Sequence, residues 1–157
     1  MNDTFKAFQD GYDDNFSHCY GCGRHNPQGH QLKSYWDGDT TVARFKPDTC
    51  YSGGVPNKVY GGLIASLLDC HGAASAAAAA CRAAGLGPEG MAGMRFVTAN
   101  LNVNYVAPTP MDVELEIRGE IVEIKPRKVT VDLTLSARGE VCATGRMIAV
   151  RLAEGSW

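Results

Sequence analysis

Two groups of residues combine side-chain type and spacing in ways that could do chemistry. The first lies in the segment Tyr51-Ser52-Gly53-Gly54-Val55-Pro56-Asn57-Lys58-Val59-Tyr60-Gly61-Gly62-Leu63-Ile64-Ala65-Ser66-Leu67-Leu68-Asp69. Gly61 and Gly62 open an apolar, alanine-rich run with helical character. First-turn amides of a helix have no intrahelical acceptor, and glycine lets a ligand come close to them. Together with the helix dipole they suit an anion or a developing oxyanion. Asp69 follows Gly62 at the next two turns, so it projects from nearly the same face, roughly 10 Å along the axis. At that distance it cannot act on a carbonyl held by the Gly62 amide of its own helix. It could act on one held by a second copy whose helix packs antiparallel, which gives two shared sites in a twofold dimer. Burying a carboxylate in so apolar a helix is unfavourable unless it is satisfied, and such burial raises a carboxyl pKa towards that of a working base. The plainer reading of Asp69 is a polar residue bonded to neighbouring backbone; the glycine pair favours chemistry.

The second group is Cys19-x-x-Cys22 with His18, His25 and His30 close in sequence, half of a zinc-type ligand set. A second close pair is missing, and Cys50, Cys70, Cys81 and Cys142 are scattered, so a structural loop without metal is the expectation. No βαβ pattern surrounds the pair, which argues against a redox dithiol. Cys70 and His71 adjoin Asp69 but point to different helix faces, so both are expected in the core rather than in a cysteine-nucleophile site. Lys125, Arg127 and Lys128 surround Pro126 between two strands; there they could hold phosphate or merely form a solvated turn. Arg95 and Arg146 are weaker candidates for the same role.

The elements that must position these residues can be read from periodicity. Residues 1–17 have Phe5, Phe8, Tyr12 and Phe16 at roughly helical spacing, which predicts a short helix. Residues 18–30 are rich in Cys, Gly, His, Asn and Pro and read as an irregular loop. Residues 31–36 and 40–46 form strands around Asp37-Gly38-Asp39, a hairpin signal. Residues 47–60 form a loop, and a helix runs from about Gly61 to about Ala84, where Gly85-Leu86-Gly87-Pro88 stops it. Beyond it, Leu101, Val103 and Tyr105 alternate with asparagines up to Pro108. Val113, Leu115 and Ile117 alternate with charged residues, Val129, Val131, Leu133 and Leu135 with polar ones, and a last strand covers about 141–152. Period two in three successive segments means an antiparallel sheet with one wet face. One greasy helix among strands is best covered by a curved sheet wrapped round it, an α+β architecture. The division is an N-terminal segment, 1–17, and one domain, 18–157.

Composition narrows the function classes. At 157 residues, 45% of them hydrophobic, the chain can bury a core without disulfide staples, so six reduced thiols in the cytoplasm are the expectation. A net charge of −2 attracts neither nucleic acid nor an anionic membrane. The N-terminus has no basic and apolar leader pattern. The run from Gly61 to Cys81 is too rich in alanine, and too clearly interrupted by Asp69 and Gly72, to be read as a membrane span.

The pattern from Gly54 to Asp69 resembles the Gly-x-x-x-x-Val-His-Gly-Gly-x-x-x-x-x-x-Asp motif of the PaaI-like thioesterases of the hotdog superfamily, with Tyr60 where that family has His. Cys19-Tyr20-Gly21-Cys22-Gly23-Arg24-His25-Asn26-Pro27-Gln28-Gly29 is similar to the CxxCG-x-x-NP-x-G opening of one branch, and Asn100–Pro108 to its first strand after the helix; the likeness spans about residues 18–152. It implies a hotdog fold and hydrolysis of acyl-CoA to a free acid and CoA, with no metal or organic cofactor, in a homodimer or homotetramer. By the resemblance, the Gly61 or Gly62 amide polarises the thioester carbonyl. Asp69 of the other subunit is the general base or the nucleophile, and Ser66 either holds the water or the carboxylate or is simply a small residue that fits the packing. Tyr60 shapes the site differently from a histidine, because a phenol is no base near neutral pH. Asn57 is the nearest amide that could compensate, and Arg127 and Lys128 would meet the phosphates of CoA.

Three rival readings follow from the same residues. A hotdog hydratase or dehydratase needs a histidine near the helix start, which this chain lacks. A non-hydrolytic acyl-CoA binder is suggested by Tyr60. A metal module would rest on the CxxC pair.

Overall fold

The computed structural model describes residues 6–153 and 155–156. In chain order the regular elements are β1 (Ser34–Asp37), β2 (Thr40–Phe45), α1 (Gly61–Ala83), β3 (Phe96–Tyr105), β4 (Leu115–Lys125), β5 (Lys128–Ala137) and β6 (Glu140–Arg151). The strands form one antiparallel sheet in the order β1-β2-β4-β5-β6-β3. This sheet curls round the single long helix, which is the hotdog fold. β1 and β3 are its edges. β3, the first strand after the helix, pairs with the last strand, β6.

Period two sets the inner face. Val129, Val131, Leu133 and Leu135 of β5 point into the core with Leu115 and Ile117 of β4 and with Ala143 and Met147 of β6, and they meet Leu63, Leu67 and Leu68 of α1. The second expected strand starts later than its alternation suggested, at Leu115, and runs on to Lys125. A bulge between Ile121 and Glu123 interrupts its register, leaving Val122 and Ile124 exposed. Gly38, at φ +63°, turns the β1–β2 hairpin. Gly85, at φ +71°, ends α1: its amide donates to Arg82 and the Leu86 amide to Cys81, a Schellman stop. By length and composition α1 could cross a membrane, but 72% of its most apolar window is buried inside the protein, so it serves as a core helix.

The N-terminal segment departs from the expected helix. It makes two 3₁₀ turns, Phe8–Gly11 and Asp14–Phe16, the second started by the Asp13 carboxylate accepting the Asn15 amide. Phe5 lies outside the described residues. The aromatic spacing reflects packing instead: Phe8 meets Trp36 edge-on at 5.6 Å, and Arg95 lies over the Phe16 ring.

Beneath this segment runs a buried chain of hydrogen bonds. Gln9 donates to Ser34 Oγ (3.1 Å), Ser34 Oγ lies 2.8 Å from His71 Nδ1, and His71 Nε2 lies 3.0 Å from Thr41 Oγ1. Thr41 Oγ1 is 2.6 Å from Ser75 Oγ, which donates back to the His71 carbonyl (2.7 Å). Every donor finds one acceptor if His71 is neutral and carries its proton on Nε2. A second proton on the ring would leave Ser34 without an acceptor.

Desolvation, with Arg118 acting in the same direction, lowers the His71 pKa from 6.5 to about 4. Between those values the unfolded chain binds a proton that the folded chain does not, so stability falls as pH drops through that window. At 1.36 kcal/mol per pH unit the full loss is roughly 3 kcal/mol. Urea unfolding at pH 7 and pH 4.5 should show most of this loss in wild type, and a smaller difference in His71→Gln.

Candidate active site

α1 begins without a side-chain cap; Tyr60 occupies the N-cap position. The Leu63 amide turns back to the Tyr60 carbonyl (3.2 Å), whereas the amides of Gly61 and Gly62 have no acceptor among the described residues. Gly62 is exposed. A side chain there would run into the Tyr60 ring, whose nearest carbon lies 2.2 Å from the place a Cβ would take. Tyr60, itself 47% exposed, therefore covers the helix start.

β3 runs antiparallel to α1 and touches its open side at two places. Near the helix start, Tyr105 Oη donates to the Gly61 carbonyl (2.8 Å). Two turns on, Thr98 Oγ1 donates to Asp69 Oδ1 (2.5 Å). Asp69 is half-exposed rather than buried, because the sheet covers only the other sides of the helix. Gly62, Ala65, Ser66, Asp69 and Ala73 form the stripe left partly open. Ser66 lies one turn before Asp69 and against Gly21 of the cysteine loop. Beside Gly61 a cavity of about 290 Å³ is lined by Ile64, Tyr105, Pro108 and Thr109, and the buried hydroxyl of Thr109 has no partner among the described residues.

Asn57 takes a conformational role: it sits at φ +63° and its carbonyl accepts the Met111 amide (3.2 Å), linking this loop to the start of the β4 segment. Asparagine tolerates that left-handed backbone better than most residues. Arg127 and Lys128 part company at the β4–β5 turn. Arg127 lines a cavity of about 600 Å³ with Arg95, Arg151 and Phe16; Lys128 is not in its wall. Arg95 and Arg151 enter this cavity through the pairing of β3 with β6, a juxtaposition that spacing alone did not reveal. Lys125 faces Glu123, and Arg146 is held bidentately by Asp132 on the outer face of the sheet (2.7 and 2.9 Å). A further cavity of about 500 Å³, lined by Phe8, Trp36, Ala78, Arg82 and Met91, lies at the far end of α1 and contains none of these residues.

The cysteines need a correction. Cys70 is not scattered: it joins Cys19 and Cys22, and the three sulfurs lie within 4.8 Å of one another. The side-chain hydrogen bonds from Cys22 and Cys70 hold the Cys19 thiol well below the ordinary thiol range, and the same contacts push Cys22 and Cys70 up. The nearby histidines turn elsewhere: His25 to Asp14 (2.8 Å) and His30 to the Tyr51 hydroxyl (3.0 Å).

The family's sequence model matches residues 57–149, and the chain belongs to the thioesterase superfamily. A thioesterase superfamily protein from Shewanella loihica PV-4 is 50% identical over 89% of this chain and 98% of that one, with a TM-score of 0.68. More distant structures share the fold. A thioesterase from Haemophilus influenzae is 13% identical over 83% of this chain and 85% of its own, with a TM-score of 0.66. The E. coli PaaI protein of the phenylacetic acid degradation operon is 13% identical over 79% and 81%, with a TM-score of 0.64. No curated protein matches the chain significantly. Membership of the superfamily supports thioester hydrolysis as the class of reaction.

The Tyr105–Gly61 bond ties the start of α1 to the edge strand, so its removal should be felt locally. Tyr105→Phe is expected to cost about 0.5–1.5 kcal/mol, the usual net worth of one such bond. Urea unfolding would read the cost, and faster hydrogen exchange at the first turn of α1 would locate it.

Proposed function

We propose that this protein is an acyl-CoA thioesterase whose active sites form between two copies of the chain. The observation that carries the reading is the pairing, on one open helix stripe, of two uncommitted glycine amides with a half-exposed carboxylate two turns away. In a twofold dimer with antiparallel helices, the Gly61 or Gly62 amide of one subunit would hold the thioester oxygen. Asp69 of the other would activate water or attack the carbonyl. Thr98 orients that carboxylate through one oxygen, and the other has no partner among the described residues. Ser66, on the same stripe, is placed to hold the water. The open edge of β3 carries Asn100, Asn102, Asn104 and Tyr105, none of them charged, and an uncharged edge of ten residues favours pairing with another chain. Edge and stripe meet at Thr98 and Tyr105, so one interface would complete both. Pairs of such dimers would give a tetramer.

The phosphates of CoA would be met by Arg127 with Arg95 and Arg151 around their shared cavity. Hydrolysis through these groups requires neither a metal nor an organic cofactor. The six thiols are free, which fits a reducing cytoplasm. Hydratase chemistry is disfavoured because His71 is fully buried and engaged on both ring nitrogens. Tyr60, lying over Gly62, favours a second reading in which acyl-CoA is bound without turnover.

CoA release from a panel of acyl-CoAs distinguishes the two. Wild type should turn over at least one member, and Asp69→Asn should lose about 10²–10⁴-fold in kcat while still binding it. Saturable binding with no turnover across the panel would establish the binder. Arg127→Ala should raise KM for acyl-CoA several-fold but leave KM for the matching acyl-pantetheine, which lacks the nucleotide phosphates, unchanged.

A further inference from the structure

We propose that Cys19, Cys22 and Cys70 form a three-thiolate site for a thiophilic divalent cation of the zinc class, which would clip the loop of residues 19–22 to α1 beside Asp69. The three sulfurs lie within 4.8 Å of one another, and Cys19 Sγ is 3.8 Å from Cys70 Sγ. A tetrahedral zinc centre with Zn–S bonds of 2.3 Å has sulfurs about 3.8 Å apart. A disulfide needs the sulfurs at about 2.05 Å, so the spacing matches a shared cation better than a bond between two of them.

The loop is built to hold this arrangement. The Gly21 amide donates to Cys19 Sγ (3.3 Å) and the Gly23 amide to the Cys19 carbonyl (2.8 Å), which folds the Cys-x-x-Cys turn tightly. A Cβ on Gly21 would sit 2.2 Å from Cys70 Sγ, and one on Gly23 would sit 2.4 Å from the Cys19 nitrogen, so glycine is required at both positions for the loop to close on the helix. The turn is anchored outside the cluster as well. The Leu32 amide donates to Gly21, the His30 amide to Tyr20, and Arg24 clamps the carbonyls of Gln9 and Tyr12 (2.9 Å each). Cys70 stands on the rigid core helix. Two ligands on a braced turn and one on a helix make a preorganised set, and its all-sulfur composition selects soft metals over magnesium or calcium. Cys22 and Cys70 are buried while Cys19 is exposed, so the cluster is reached from solvent on the Cys19 side, and water or an external thiol would complete the tetrahedron.

Cobalt(II) titration of the reduced, metal-stripped protein under anaerobic conditions tests the site without reference to hydrolysis. The expected result is one Co²⁺ per chain. Its sulfur-to-cobalt charge-transfer band should have an intensity corresponding to three thiolates, and stoichiometric Zn²⁺ should bleach it. Cys70→Ser and Cys22→Ser should each reduce the band to two-thiolate intensity and weaken binding at least tenfold, while Cys50→Ser leaves both unchanged. Circular dichroism checks that each variant is folded. Saturating Zn²⁺ should raise the melting temperature of wild type but not of Cys70→Ser. Absence of the band in folded, reduced wild type would overturn the proposal, as would a Cys70→Ser spectrum of undiminished intensity.

Discussion

Much of this structure depends on the buried hydrogen bonds that lock His71 and Ser75 to the β1–β2 hairpin. An alanine-rich helix that is apolar on nearly every side gains almost the same burial in many rotations about its axis. Hydrophobic packing therefore leaves its azimuth poorly specified, and directional bonds must choose it. With Gln9, Ser34, Thr41 and Ser75 arranged so that each donor has one acceptor, the observed rotation satisfies both ring nitrogens of His71. Successive helical residues turn by about 100°, so fixing one position fixes its neighbours. His71 faces the hairpin, Cys70 is swung towards the loop of residues 19–22, and Asp69 is directed to the open stripe. Three consecutive side chains thus serve three surroundings, and the innermost one sets the other two.

The candidate site is correspondingly lightly built. Its amides come from a helix start with no side-chain cap, its carboxylate has one protein partner among the described residues, and one flank is an edge strand with half its backbone groups unpaired. Each of these features is a small deficit in the isolated chain. They lie together on the side of α1 that the sheet does not cover, whereas the network and the aliphatic core lie on the covered side. The core and the candidate site therefore occupy opposite faces of one helix.

Much of the architecture could be read from the chain because it rests on local signals. Period two in β5, the Asp37-Gly38-Asp39 turn and the Gly85 stop all act over a few residues, and β5, the β1–β2 hairpin and the end of α1 fall where those signals put them, whereas β4 begins only at Leu115. The N-terminal segment has helical spacing without a helix: Tyr12 and Asp13 are extended between its two turns, and Phe8 and Tyr12 pack on one cluster while Phe16 lies under Arg95. Asp69 was expected to be buried because the helix is apolar, but hydropathy does not say on which side a sheet stops. Cys70 with Cys19, and Arg95 with Arg127 and Arg151, are not legible in the chain for another reason. Both groupings arise from tertiary closure across long stretches of chain, which periodicity does not encode. The unpartnered amides of Gly61 and Gly62, by contrast, were legible, since any helix start leaves such groups and glycine leaves them accessible.

The tight seat of α1 also bears on how this scaffold can diversify. A methyl group on Gly72 would meet Met147 Sδ at 2.8 Å and Leu133 Cδ1 at 3.0 Å, and one on Gly119 would meet Thr41 Oγ1 at 2.5 Å and, on α1, Ser75 Oγ at 3.1 Å. Helix and sheet are so close that neither can gain bulk without parting, and overpacking of this kind typically costs about 1–3 kcal/mol. The buried positions between Gly72 and Ala79, Ala73 excepted, are therefore nearly frozen in side-chain volume. Inherited changes in what the protein accepts must arise at the rim, in the segments flanking Tyr60, in the stretch after Tyr105 and in the β4–β5 turn. New preferences can accumulate there while the centre of the molecule stays as it is.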